Sequence, residues 1–265
     1  MIRQLIVNAD DFGFTRDVNA GIVHSHTHGI LSATTLMANG DAFEDAVRLA
    51  REAPALDVGC HLVLIQGSSL VTGDALPENW RALLQALATG KLDVEAELRA
   101  QIQKIVAAGI RPTHLDTHKH THVHPAVFKT VLRLAREFGV PFVRLPFDTG
   151  WLPVRPLNLL FRRKLHRSGL RATDHFTGFL LTDTLTSETL SAALGRLPSG
   201  SIEFMCHPGY LGEELRRAPS RLKEARVRQL EALTSPAIRT RLAELQIKLT
   251  NYRELGAANK QRGLT

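Results

Sequence analysis

At 265 residues, with 44% hydrophobic and 22% charged residues, the chain suits one large α/β domain able to bury a sizeable core. No apolar run approaches the roughly 18 residues of a membrane span, and the N-terminus, M-I-R-Q-L-I-V-N-A-D-D, lacks the apolar stretch of a secretory signal, so a cytoplasmic address is expected. Cys60 and Cys206 are the only cysteines and have no C-x-x-C spacing, which argues against a disulfide framework or a thiolate zinc knot, while the net charge of +7 suits an anionic partner.

Gln4 to Ala9 is a short apolar run, as in a buried parallel strand. It ends on N-A-D-D-F-G, with Asp10 and Asp11 side by side. Two adjacent carboxylates at a strand end repel unless a cation or a proton separates their roles. Asp17 reads as the N-cap of a helix running to His28 and stopped by Gly29. Ser32 to Met37 is a second strand and Ala42 to Arg51 an amphipathic helix. Asp57 to Leu64, D-V-G-C-H-L-V-L, is a third strand that carries His61; alone, such a histidine is more often a hydrogen-bonded core residue than a ligand. Residues 66–79 form a Gly/Pro/Ser-bearing loop long enough to wall a site. Val94 to Ala108 is a helix with an apolar stripe, ended by Gly109.

The stretch T-H-L-D-T-H-K-H-T-H-V-H-P (113–125) follows. Asp116, His118, His120, His122 and His124 recur every second residue, the period that places side chains on one face of a strand, roughly 6.6 Å apart. One metal ion then touches only one or two adjacent members of the row. A polar strand end could produce such a run, but five of the 12 histidines fall within residues 114–124, and a metal site explains them better. Pro125 opens a helix to Phe138, and Phe142 to Leu145 is a strand closing on R-L-P-F (144–147).

Residues 148–172 read as a basic amphipathic insertion. Arg155, Arg162, Arg163, Lys164, Arg167 and Arg171 interleave there with leucines and Trp151, and no acidic residue lies between 155 and 171. The segment could meet phosphate or an anionic membrane, or cover part of the core. Phe176 to Leu181 and Ile202 to Cys206 are strands around a helix from Ser187 to Leu197, and His207 ends the second strand in M-C-H-P-G. Ser220 to Leu233 and Pro236 to Leu245 are helices, and Ile247 to Thr250 is a last strand. Strand and helix alternate without a linker, which predicts a single domain over 1–265. The expected fold is a (β/α) barrel, distorted or incomplete, with seven to eight parallel strands.

Such barrels do their chemistry at the carboxyl ends of strands. Asp10, Asp11, His61, Asp116, His118, Arg144 and His207 all map to such ends. An Asp/His/His set suits one divalent metal ion, with Zn2+ favoured by ligand type and Mg2+, manganese or cobalt possible.

The motifs N-A-D-D-F-G (8–13), G-C-H-L (59–62), H-L-D-T-H-K-H-T-H (114–122) and M-C-H-P-G (205–209) together resemble those of the YdjC-like carbohydrate deacetylases, which include bacterial chitooligosaccharide deacetylase. T-T-L-M-A-N-G (34–40) and the histidine row look most like the subgroup associated with hopanoid biosynthesis, which acts on N-acetylglucosaminyl hopanoids. The resemblance implies Asp11, His61 and His118 as metal ligands and Asp10 as general base. It implies Arg144 as the arginine that holds the base, and His207 as the acid that protonates the leaving amine. Asp116 and His120 would stand behind the ligands, and His122 would line the substrate groove. His124 departs from the apolar residue common at its position and receives no role.

The implied partner is an N-acetylated amino sugar, lipid-linked in the hopanoid subgroup, in which case residues 155–171 would rest on the inner face of an anionic membrane. A soluble chitooligosaccharide is the first alternative and a metal-dependent phosphoesterase on a similar barrel the second. Nucleic acid is not an expected partner: the chain has no nucleic-acid motif, and its aromatic content is 6%.

Overall fold

The structure is a computed structural model and describes residues 2–147 and 155–261. The strands, all paired in parallel, are β1 (Arg3–Phe12), β2 (Ala33–Leu36), β3 (Asp57–Leu62), β4 (His114–Thr117), β5 (Phe142–Val143), β6 (His175–Thr177), β7 (Gly200–Cys206) and β8 (Ile247–Leu249). Their order is β5-β4-β3-β2-β1-β7-β6, with β8 paired to the first residues of β1. The sheet curls into a half-barrel, the distorted (β/α) barrel that the alternation of elements predicts.

Around it lie α1 (Arg16–His28), α2 (Phe43–Glu52), α3 (Trp80–Thr89), α4 (Val94–Ala107), α5 (Pro125–Glu137), α6 (Arg155–Arg167), α7 (Ser187–Gly195), α8 (Glu213–Arg217), α9 (Glu224–Thr234), α10 (Pro236–Glu244) and α11 (Tyr252–Gln261). The aliphatic side chains of β1, Leu5, Ile6 and Val7 among them, are buried, as a strand covered on both faces requires. The barrel interior, in contrast, is polar. Asn8 Oδ1 meets His114 Nε2 at 2.9 Å, and the His114 ring stacks on Tyr252 with centroids 3.9 Å apart. Gly59 makes room for that ring: a Cβ there would lie 2.4 Å from His114 O and 2.6 Å from its Nδ1.

Three local expectations change, and one helix appears where none was expected. The histidine row is not one strand: β4 stops at Thr117, and His118–Val123 coils into a 3-10 helix in which Lys119 and His120 have φ of 52° and 53°. Two consecutive left-handed residues destroy the period-two register, so the histidines fan out instead of sharing a face. The N-cap of α1 is Thr15, which accepts from Val18 N at 3.2 Å; Asp17 accepts instead from Leu215 N of α8 at 2.9 Å. The segment after Thr177 leaves the sheet at Gly178 (φ 101°), where a Cβ would lie 2.3 Å from Met205 O, and becomes a 3-10 turn over Phe179–Leu181. Helix α3, capped by Asn79, follows the loop at 66–79.

The basic insertion is partly outside the described residues: positions 148–154, Trp151 and Leu152 included, are not among them. Its remainder contains α6. Phe161 and Leu165 of α6 are buried, with Phe161 against Phe128 and Phe147, while Leu157, Leu159 and Leu160 are exposed. Arg162 ties down the next segment through Thr173 O (3.0 Å) and Asp174 O (2.9 Å).

Candidate active site

The end of β1 explains how two adjacent aspartates reach one site. In an extended strand Asp10 and Asp11 would face opposite sides of the sheet. From Ala9 to Phe12 the strand takes three steps while β2 takes two, Thr34 to Leu36, and Asp11 sits at φ 67°. This bulge, with its left-handed residue, re-aims Asp11 so that both carboxylates serve one centre.

Asp11 Oδ1 lies 3.1 Å from His118 Nδ1 and 3.3 Å from His61 Nε2, and the two nitrogens are 3.3 Å apart. His61 Nδ1 is 2.7 Å from Asp116 Oδ1, to which it donates; that bond fixes the tautomer and leaves Nε2 as a bare lone pair facing a carboxylate. Three electron-rich atoms this close require a cation or a proton among them. A tetrahedral ion with bonds of about 2.0–2.1 Å spaces its ligand atoms by about 3.3 Å, so the triangle fits zinc.

Charge balance points the same way. Asp10, Asp11, Asp116 and Glu203 are buried carboxylates, and Arg144 and Arg226 are the buried arginines that pair with them. If all four are ionised, two negative charges are left over, which one divalent cation neutralises. With a proton in its place, burial opposes a charged His61 ring, but Asp116 and Asp11 prevail and raise it to about 10. Asp10, His61 and Asp116 also converge as a possible ligand set, but both oxygens of Asp10 and Oδ2 of Asp116 are committed to Arg144, and Oδ1 of Asp116 to His61 Nδ1.

Arg144 is buried and follows β5. Its Nη1 and Nη2 donate to Asp10 Oδ2 (2.7 Å) and Oδ1 (2.6 Å), Nη1 also lies 2.7 Å from Asp116 Oδ2, and Nε donates to Glu203 Oε1 at 2.7 Å. Asn8 Nδ2 adds a bond to Asp10 Oδ1 at 3.0 Å. Burial alone would raise Asp10, but the Arg144 guanidinium outweighs it and holds the carboxyl well below the usual carboxylate range. Burial raises Asp116 and Glu203.

On the other side, His207 Nε2 stands 3.9 Å from Asp10 Oδ2. Its backbone N–H donates to Gln229 Oε1 at 2.6 Å. Burial lowers the ring to about 4, so it is neutral near pH 7.

The structure therefore brings Asp10, Asp11, His61, Asp116, His118, Arg144 and His207 together. His120 turns away, edge-on to Phe176 and Phe179. His122 is buried, its ring spanning Thr117 Oγ1 (2.6 Å) and the Arg144 carbonyl (3.0 Å), which places it behind Arg144 and away from any groove. Arg226 and Glu203 were not foreseen. Arg226 donates from α9 to Asp11 Oδ2 and looks in sequence like any charge on an amphipathic helix. Glu203 did leave a signal, a lone acid inside the apolar run S-I-E-F-M-C of β7.

A model of the family described as YdjC-like protein matches residues 4–244. The chain is 37% identical to a carbohydrate deacetylase of Brevibacillus brevis, over 96% of this chain and 100% of that protein. It is 36% identical to a carbohydrate deacetylase of Geobacillus stearothermophilus, over 96% and 98%. Among solved structures, a protein of Enterococcus faecalis described as a cellobiose-phosphate cleavage protein superposes with a TM-score of 0.80 at 26% identity, covering 96% of this chain and 99% of that one. The chain thus belongs to the YdjC-like family of carbohydrate deacetylases.

Proposed function

We propose that this protein hydrolyses the N-acetyl group of an N-acetylglucosamine-type sugar, releasing acetate and a free amine. The observation that carries the reading is the placement of Asp10, clamped by Arg144, beside the Asp11–His61–His118 triangle and 3.9 Å from His207. A divalent ion held by Asp11, His61 and His118 would polarise the acetyl carbonyl and acidify an attacking water; zinc suits the donor set and its spacing.

The chain's own groups do the rest. Arg144 keeps Asp10 ionised and fixes both of its oxygens, so the base accepts the water's proton without reorienting. Asp116 holds the His61 ring in one tautomer. His207 is neutral at rest, so the proton it gives the leaving amine must first be supplied; Asp10 Oδ2, 3.9 Å away, would supply it through one bridging water once the attacking water has been deprotonated.

The sugar is lipid-linked in this reading, an N-acetylglucosaminyl hopanoid being the type. The support is the exposed row Leu157, Leu159 and Leu160 on α6, followed in the same helix by the exposed Arg163, Lys164 and Arg167, which suits peripheral contact with an anionic membrane. No helix among the described residues is long and apolar enough to cross a membrane. The test is mass spectrometry of acetyl loss from an N-acetylglucosaminyl lipid and from diacetylchitobiose, each with purified protein. Turnover of the soluble disaccharide alone removes the lipid from the reading, and phosphate release from phosphoesters in place of acetate release overturns it.

A further inference from the structure

The broken histidine row has placed one imidazole somewhere unexpected. Lys119 and His120 occupy the left-handed region, a backbone conformation that side-chain-bearing residues adopt only where the surrounding structure holds them in it. The kink carries His120 off the metal triangle and into an aromatic wall. The Arg144 guanidinium that clamps Asp10 sits 5.3 Å from the Phe176 ring centroid, His120 stands edge-on to Phe176 at 6.0 Å, and Phe179 meets His120 at 5.2 Å. The wall is thus continuous with the catalytic base and runs outward from it.

At its outer end two large apolar side chains face solvent, Phe179 at 43% and Leu180 at 59% exposure. They are not on a loose loop. Gly178 packs so tightly on Met205 that no side chain fits, and Leu181 N and Thr182 N close the turn onto Gly178 O (3.1 Å) and Phe179 O (3.3 Å). Rigid, exposed apolar groups at the mouth of a polar site mark a binding surface. Its chemistry is mixed. The His120 side chain makes no hydrogen bond among the described residues, its Nδ1 is buried without a partner, and the exposed Lys119 adjoins it. An acyl chain would be met by aliphatic groups alone; an aromatic face next to unpartnered polar groups suits a sugar ring, whose C–H face is apolar and whose edge carries hydroxyls.

We propose that His120, Phe179 and Leu180 form a sugar subsite contiguous with the metal centre, in which the Phe179 ring stacks on a pyranose of the substrate. The subsite rests on the deacetylase reading above and specifies which residues determine its substrate.

The test compares wild type with Phe179→Ala, Phe179→Trp and Leu180→Ser, following acetate release from diacetylchitobiose, bound metal and thermal melting. Phe179→Ala is expected to raise KM about tenfold, equivalent to ~1.4 kcal/mol, with kcat within about threefold of wild type. Phe179→Trp restores KM, Leu180→Ser raises it less, and metal content and melting stay at wild-type values. An unchanged KM in Phe179→Ala overturns the subsite. So does a rise confined to an N-acetylglucosaminyl lipid, which would give the wall to the aglycone. Calorimetry of diacetylchitobiose binding to Asp10→Asn, with and without Phe179→Ala, separates this proposal from the reaction. Binding weakened about tenfold by the second change supports the subsite even if wild type releases no acetate, and equal binding in the two variants rejects it even if wild type is active.

Discussion

Arg226, on α9, donates to the oxygen of Asp11 that faces away from His61 and His118. Asp11 is thereby left with one oxygen for the metal triangle. Burial would raise its carboxyl, but Arg226, then the two histidines, hold it well below the usual range. Three residues further along the same helix, Gln229 accepts the backbone N–H of His207. One turn of α9 thus positions the proposed metal ligand and the proposed acid together. Arg226→Met leaves Asp11 buried with one positive neighbour fewer, a change expected to cost about 3–5 kcal/mol in metal-free protein. Saturating divalent ion should narrow the gap to wild type, because it takes over the arginine's neutralising role and binds only the folded state. Thermal melts with chelator and with zinc measure this, and a gap that does not depend on metal would reject the coupling.

Asp10→Asn should keep its metal and lose about 100-fold or more in kcat. The amide preserves the shape that Arg144 grips but cannot accept the water's proton. Acetate release and elemental analysis of the same preparation give both numbers. Near-wild-type turnover would take Asp10 out of the mechanism.

His118→Ala should lose metal and activity together, whereas His120→Ala should keep stoichiometric metal, since His120 points at Phe176 and Phe179. Metal titration by calorimetry distinguishes them. The reverse pattern would move the ligand assignment to His120.

Acid should destabilise the protein partly through His122. Burial, assisted by Arg144, pushes its ring down to about 3, against about 6.5 in the unfolded chain. The folded state then binds fewer protons, so this residue's contribution is complete above about pH 6.5 and is lost as the pH falls toward 3. His207, lowered to about 4 by burial, acts in the same direction, while Asp116 and Glu203, raised by burial, oppose it. His122→Gln removes one titrating ring. Its stability should change less than that of wild type between pH 7 and pH 5 in urea unfolding, and equal changes in the two proteins would show that the His122 ring takes up protons alike in the folded and unfolded states.

How much of this was legible in the sequence depended on whether the signal was local. The apolar runs at 4–9 and 202–206 became β1 and β7 because a strand buried on both faces must be apolar almost throughout. Asp11, His61 and His118 were recognisable as motif residues, yet the bulge that lets Asp11 join Asp10 carries no glycine to announce it. The histidine row misled for the same reason. Its alternation imitates a strand perfectly well, and no glycine marks the left-handed pair Lys119–His120, two consecutive positions in a conformation uncommon for residues with side chains. Arg226 was out of reach because its partner lies 215 residues away in the chain, and nothing around it differs from an ordinary helix surface.

Strand β1 pairs with β7 from Arg3↔Gly200 to Ala9↔Cys206, and with β8 from Arg3↔Ile247 to Leu5↔Leu249. The strand that bears both aspartates is therefore made early on the ribosome and completed late. Until β7 and β8 have followed it from the ribosome it lacks a neighbour along one side and along part of the other. Loop-closure entropy must be met before those pairings repay it, so assembly should be slow and the waiting strand adhesive. Moving the segment from β7 onward ahead of β1, by circular permutation, would shorten that exposure and should speed refolding while leaving the finished cation cradle as it is.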